Sequence, residues 1–147
     1  MLRFVLPMLV VAAISVTAAG ARGQDMPLPG RMAVKEGLFT NGAKIMYEGR
    51  TYRPAGAAAL CHSCWEARDH FLRAKRLRFR SFLLANLGIV EVSVGAAQFD
   101  EVRGVGAAHA MVGGMFMTWS AEREVKVRRE VRAGVEAYNR CQFHLVH

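Results

Sequence analysis

Two apolar stretches, 81–99 and 104–120, are separated only by Asp100-Glu101-Val102-Arg103, and no other feature constrains the fold of this chain as strongly. Each stretch is long enough for a helix and the break is long enough only for a turn, so an antiparallel helical hairpin is predicted. At about 1.5 Å per residue the two arms span roughly 28 and 25 Å, close to the ~30 Å hydrocarbon core of a bilayer. Small residues recur on both arms at helical spacing. Gly88, Val92, Gly95 and Ala96 lie on the first, and Gly106, Ala110, Gly113 and Gly114 on the second. In lipid, small faces let two helices approach closely. In water each helical glycine costs roughly 1 kcal/mol relative to alanine, with no return unless the arms pack tightly. A membrane hairpin packed through Gly88, Gly95, Gly106, Gly113 and Gly114 is therefore favoured over its alternative, a soluble helical bundle.

Glu91 and His109 stand against a span, because an acidic residue at the centre of a membrane helix costs about 3 kcal/mol. With the turn over 100–103, Glu91 falls opposite Val112 and His109 opposite Val94, about three residues apart along the axis. If they share a face they form an intramembrane polar pair. The readings are a mutually satisfied pair, packing within a homo-oligomer, or part of an ion or proton path.

Met1-Leu2-Arg3, the apolar run 4–16 and Ala19-Gly20-Ala21 have the order of a secretory signal peptide, assigned to 1–21. The competing reading is an uncleaved anchor. The 147 residues carry a formal charge of +8, and for an exported chain this points to anionic lipid headgroups and away from nucleic acid. Arg73, Lys75, Arg76, Arg78 and Arg80 precede the hairpin, and Arg123, Lys126, Arg128, Arg129 and Arg132 follow it. Basic flanks favour the cytoplasmic side of a membrane, whereas a cleaved signal peptide would place them outside. Insertion into a different membrane, a short hairpin that inserts regardless of the charge bias, or a soluble helical unit that only touches headgroups would reconcile the two.

A chain of this length supports one core. After a flexible lead-in over 22–35, a small β-meander is predicted over 36–55, from the turn signals Asn41-Gly42 and Glu48-Gly49. Helix is predicted from near Cys61 through Arg80, with Trp65, Leu72 and Phe79 repeating every seven residues. A further helix over 120–140 carries the stripe Val127, Val131, Val135 and Tyr138, and Asn139 falls at its end. The whole reads as mainly α: a long antiparallel helical hairpin over 57–141 with a small N-terminal β-meander, and a tail at 142–147.

The hairpin brings Cys141 level with Cys61 and Cys64, the three cysteines of the chain. In an exported protein a disulfide is favoured, from Cys141 to Cys61 or to Cys64, with a Cys61–Cys64 bridge as the rival. The alternative is a zinc site from Cys61, Cys64, Cys141 and His144, or a thiol-redox role for the cysteines. Haem attachment is not supported, because Trp65 stands where Cys-x-x-Cys-His requires histidine. Nucleophile-elbow, phosphate-loop, zincin and dinucleotide motifs are all missing, so a non-enzymatic protein without a cofactor is predicted.

Phe39-Thr40-Asn41-Gly42-Ala43-Lys44-Ile45, Glu66-Ala67, the basic Arg73-Ala74-Lys75-Arg76 segment, the glycine-rich hairpin and Gly134-Val135-Glu136-Ala137-Tyr138-Asn139 follow a recognisable order. Over 38–139 the chain resembles a group of small exported bacterial proteins. These have a signal peptide, a short β portion, a glycine-rich transmembrane-like hairpin and an Ala-Val-x-x-Tyr-Asn-like helix end. The resemblance implies a bacterial envelope protein with periplasmic or other extracytoplasmic portions. It implies no assigned activity, and its pattern does not include the cysteines.

Overall fold

The computed structural model describes residues 30–37 and 42–146, with side chains through Phe143. The predicted signal peptide, most of the lead-in and Asn41 lie outside the described residues.

Among the described residues three short strands precede three helices: β1 (Met32–Lys35), β2 (Lys44–Tyr47), β3 (Arg50–Tyr52), α1 (Pro54–Leu60), α2 (Trp65–Gln98) and α3 (Arg103–Val146). The predicted class, a helical hairpin after a small β portion, is what the chain forms. The strands make one antiparallel sheet in the order β1-β2-β3. Glu48 and Gly49 both take positive φ, 48° and 72°, which suits the two-residue turn joining β2 to β3. The first strand lies earlier than the sequence suggests. Met32–Lys35 pairs with Lys44–Tyr47 across a longer connection, so Asn41-Gly42 does not close a two-residue hairpin.

Pro54 opens α1, where its fixed φ suits a first helical turn and its missing N–H is not needed. The chain breaks at 61–64 and restarts as α2, so the helix predicted from Cys61 begins at Trp65. α2 and α3 then run without interruption for 34 and 44 residues, and α3 absorbs both the second apolar arm and the helix predicted over 120–140. Asn139 is therefore internal to α3.

The two long helices divide into a base and a stalk. Every buried hydrophobic side chain of the described residues lies in 32–74 or 127–138, where Phe71, Ile45, Val127 and Val131 are fully enclosed. The stripe Val127, Val131, Val135 and Tyr138 faces this core, as its spacing predicts. Trp65 and Phe79 do not: they are 78% and 64% exposed. The buried face of α2 is instead Phe71, in the base, together with Ala67, Ala74, Ser81, Gly88 and Gly95, a seven-residue repeat of small side chains. Two long helices hold such a seam only by supercoiling slightly left-handedly, as in a coiled coil.

The sheet is tied to α3 through one side chain. Asn139 accepts the Met32 N–H at 2.9 Å through Oδ1, and its Nδ2 donates to the Met32 carbonyl at 3.0 Å. The amide thus satisfies both backbone groups of one residue on β1, a strand that among the described residues pairs only with β2. Nearby, the Tyr47 and Tyr138 rings meet edge-to-face with centroids 5.8 Å apart. Burial, and then the neighbouring Tyr47 phenol, raise the Tyr138 pKa.

Candidate functional site

Above the base, α2 and α3 pack through backbone instead of side chains. A β-carbon added to Gly88 would lie 2.8 Å from the Gly113 carbonyl oxygen, and one on Gly95 would lie 2.7 Å from that of Gly106. The reverse substitutions at Gly106 and Gly113 meet the Gly95 and Gly88 oxygens, each at 2.7 Å. Four of the predicted packing glycines therefore form this seam. Gly114 does not, since the space beside it is open; one residue further along α3, it is turned about 100° from Gly113.

The register also departs from the prediction. Gly88 meets Gly113, two residues before Met115, because α2 ends at Gln98 and α3 begins at Arg103. Gln98 accepts the backbone N–H groups of Glu101 and Val102, and Val102 accepts those of Val105 and Gly106, which draws the turn one residue earlier. That shift leaves Glu91 and His109 side by side, with Nδ1 of His109 hydrogen-bonded to Oε2 of Glu91 at 2.6 Å. At the foot of the stalk, Ser81 and Ser120 exchange bonds, each hydroxyl donating to the other's carbonyl at 3.0 Å.

The remaining polar side chains of the arms turn back on their own helices. Asn86 donates to the Phe82 carbonyl at 2.7 Å, Ser93 to Ile89 at 2.8 Å and Thr118 to Gly114 at 3.0 Å. Such back-bonding to the preceding turn satisfies a polar group without solvent. Gln98, next to the turn, is the exception: its Oε1 is buried with no hydrogen-bond partner among the described residues.

The outer surface of the stalk is the reverse of a soluble helix pair. Leu87, Ile89, Val90, Met111 and Met115 are between 52% and 71% exposed. The small residues occupy the seam, so the large apolar ones face outward. Aromatic rings gather at the foot, with Phe79, Phe82 and Trp119 exposed and Phe116 packed edge-on against Trp119. Below them lies the basic collar that includes Lys75, Arg76, Lys126 and Arg129, all exposed.

The base is closed by a disulfide between Cys64 and Cys141, residues 77 apart in sequence whose Cα atoms stand 6.0 Å apart. This is one of the two predicted pairings of Cys141. Cys61 is the free cysteine of the described residues. It is fully buried, its thiol donates to the Ala57 carbonyl at 3.2 Å, and burial pushes its pKa up to about 11. A reactive thiol needs the opposite, exposure and a lowered pKa. Of the four residues of the zinc alternative, Cys64 and Cys141 are joined to each other and Cys61 is buried in the core; the side chain of His144 lies outside the described residues.

No family model, curated protein or solved structure matches this chain.

Of the helices described, α2 is long and apolar enough to cross a membrane, with a mean hydropathy of 1.3 over its best window, only 17% of it buried. α3 falls short of the same measure, since Gly104, Gly106, Gly113, Gly114 and His109 dilute its apolar arm. Sequence reasoning missed the serine exchange, the Asn139–Met32 pairing and the hydrogen bond between His70 and Glu130, whose Nδ1 and Oε2 are 2.7 Å apart. One signal was available for the first. Small residues recur every seven positions at 67, 74, 81, 88 and 95 and again at 106, 113 and 120.

Proposed function

We propose that this chain is a non-enzymatic bacterial envelope protein, exported and anchored in a membrane by its α2–α3 stalk, with the disulfide-closed base outside the lipid. One observation carries this reading. The stalk exposes its large apolar side chains while Asn86, Glu91, Ser93, His109, Thr118 and the serine pair bond internally. A bilayer demands this arrangement, because no water is present there to complete a polar group. In water the same surface would be an uncovered apolar patch of the kind that drives aggregation. The aromatic foot above a basic collar matches an interfacial belt facing anionic headgroups. The resemblance to small exported proteins with a transmembrane-like hairpin points the same way.

Alkaline carbonate extraction of membranes from cells expressing the full chain tests the proposal. The protein is expected in the membrane pellet, and release into the supernatant as a monodisperse monomer would overturn it.

A further inference from the structure

Resting on the membrane reading, we propose that the foot of the stalk holds a dedicated site for one anionic phospholipid, formed by Arg53, Lys75 and Arg78 beside Phe79 and Phe82. These residues, with Pro54 and Ala55, line a groove of about 270 Å3 between the start of α1 and the lower part of α2. Its composition sets it apart from the rest of the collar. The groove is lined by three cations and no carboxylate, whereas the groove by Trp119, Arg123 and Lys126 also holds Glu122; Arg78 and Phe82 are shared with the adjoining groove along Ser81 and Ser120, where Glu124 lies.

Arg53 and Lys75 are exposed and have no ion-pair partner among the described residues. Arg78 is half-buried and is held toward the sheet by donating to the Ala43 carbonyl at 3.5 Å. Two exposed cations, Arg53 just before α1 and Lys75 on α2, therefore flank the half-buried Arg78 where the apolar surface begins. A lipid phosphate matches their charge, and the exposed Arg53 guanidinium presents paired donors suited to its oxygens. Phe79 and Phe82, 64% and 63% exposed, offer ring faces to the first part of an acyl chain rising along the stalk. A soluble anion would use the cations and leave both rings uncovered, so a lipid is the occupant that fits the whole groove.

The test uses full-length protein in vesicles of equal parts phosphatidylglycerol and phosphatidylcholine, extracted into mild detergent, with the retained lipids counted. Wild-type protein should retain phosphatidylglycerol in preference to phosphatidylcholine. The variant carrying Arg53→Gln and Lys75→Gln should lose about tenfold of that preference, as expected for two cations removed from an anionic headgroup. A second variant, Arg50→Gln with Arg68→Gln, removes the same charge from exposed positions of the base outside both the collar and the groove, and should leave the preference largely unchanged. Circular dichroism confirms that both variants fold. Equal losses in the two variants, or no enrichment in the wild type, would overturn the site while the protein still resisted carbonate. Release of the wild type from the vesicles by carbonate would overturn the membrane reading and the site with it.

Discussion

Gly88 and Gly113 meet through their backbones: each carbonyl oxygen lies within 2.8 Å of the point where the other residue would carry a β-carbon. Neither position can accept a side chain unless the helices part, and Gly95 and Gly106 repeat the arrangement two turns nearer the tip.

Gly88→Val and Gly113→Val are therefore expected to destabilise the hairpin by about 1–3 kcal/mol each, the usual cost of overpacking. Gly114→Ala, in open space, should be neutral or stabilise by up to ~1 kcal/mol. Unfolding of the detergent-solubilised protein followed by circular dichroism separates the two classes, and equal stability for Gly88→Val and wild type would refute the backbone seam.

The Cys64–Cys141 bond spans 77 residues of sequence, and cross-linking a loop of this size stabilises by about 4 kcal/mol in the chain-entropy account. Cys64→Ser, Cys141→Ser and the double variant should lose the same amount, because one bond is at stake in all three. Cys61→Ser should keep the bridge on non-reducing gels, and in wild-type protein a maleimide should reach one thiol, and only after unfolding.

Burial of Cys61 makes stability fall at alkaline pH. The folded thiol is raised from 9.0 to about 11, so its contribution is complete below pH 9.0 and is lost as pH rises toward 11. The loss should be on the order of 2 kcal/mol. The buried Tyr138 phenol acts in the same direction at higher pH. Urea unfolding of wild type and Cys61→Ala between pH 8 and 11 measures the difference; parallel curves would contradict the assignment to Cys61.

Glu91 and His109 satisfy one another across the seam, with side chains 32% and 36% exposed to the surroundings of the stalk. Removing either leaves its partner uncompensated, so Glu91→Ala and His109→Ala should each destabilise the bilayer-embedded hairpin, and the double variant should be less damaging than the sum. A coupling of about 1–2 kcal/mol is expected from a double-mutant cycle. Strict additivity would mean that the pair does not interact.

Repeats along the chain determined much of this protein without reference to its tertiary structure. The hairpin follows from two apolar arms and a four-residue break, the core face of α3 from Val127, Val131, Val135 and Tyr138, and the seam from glycines spaced seven apart. Each is a relation between residues on one helix, where geometry is regular and spacing translates directly into a face. Relations between elements were decided only by the tertiary structure. A turn drawn one residue earlier moved the register enough to join His109 to Glu91. The break at 61–64 turned Cys61 into the core and left Cys64 to meet Cys141, a choice invisible in a spacing of three residues. Strand β1 lies at Met32–Lys35 because Asn139, 107 residues later, supplies the hydrogen bonds that hold Met32 against α3. Such pairings depend on where separate elements come to rest against each other, and that depends on packing of the whole base.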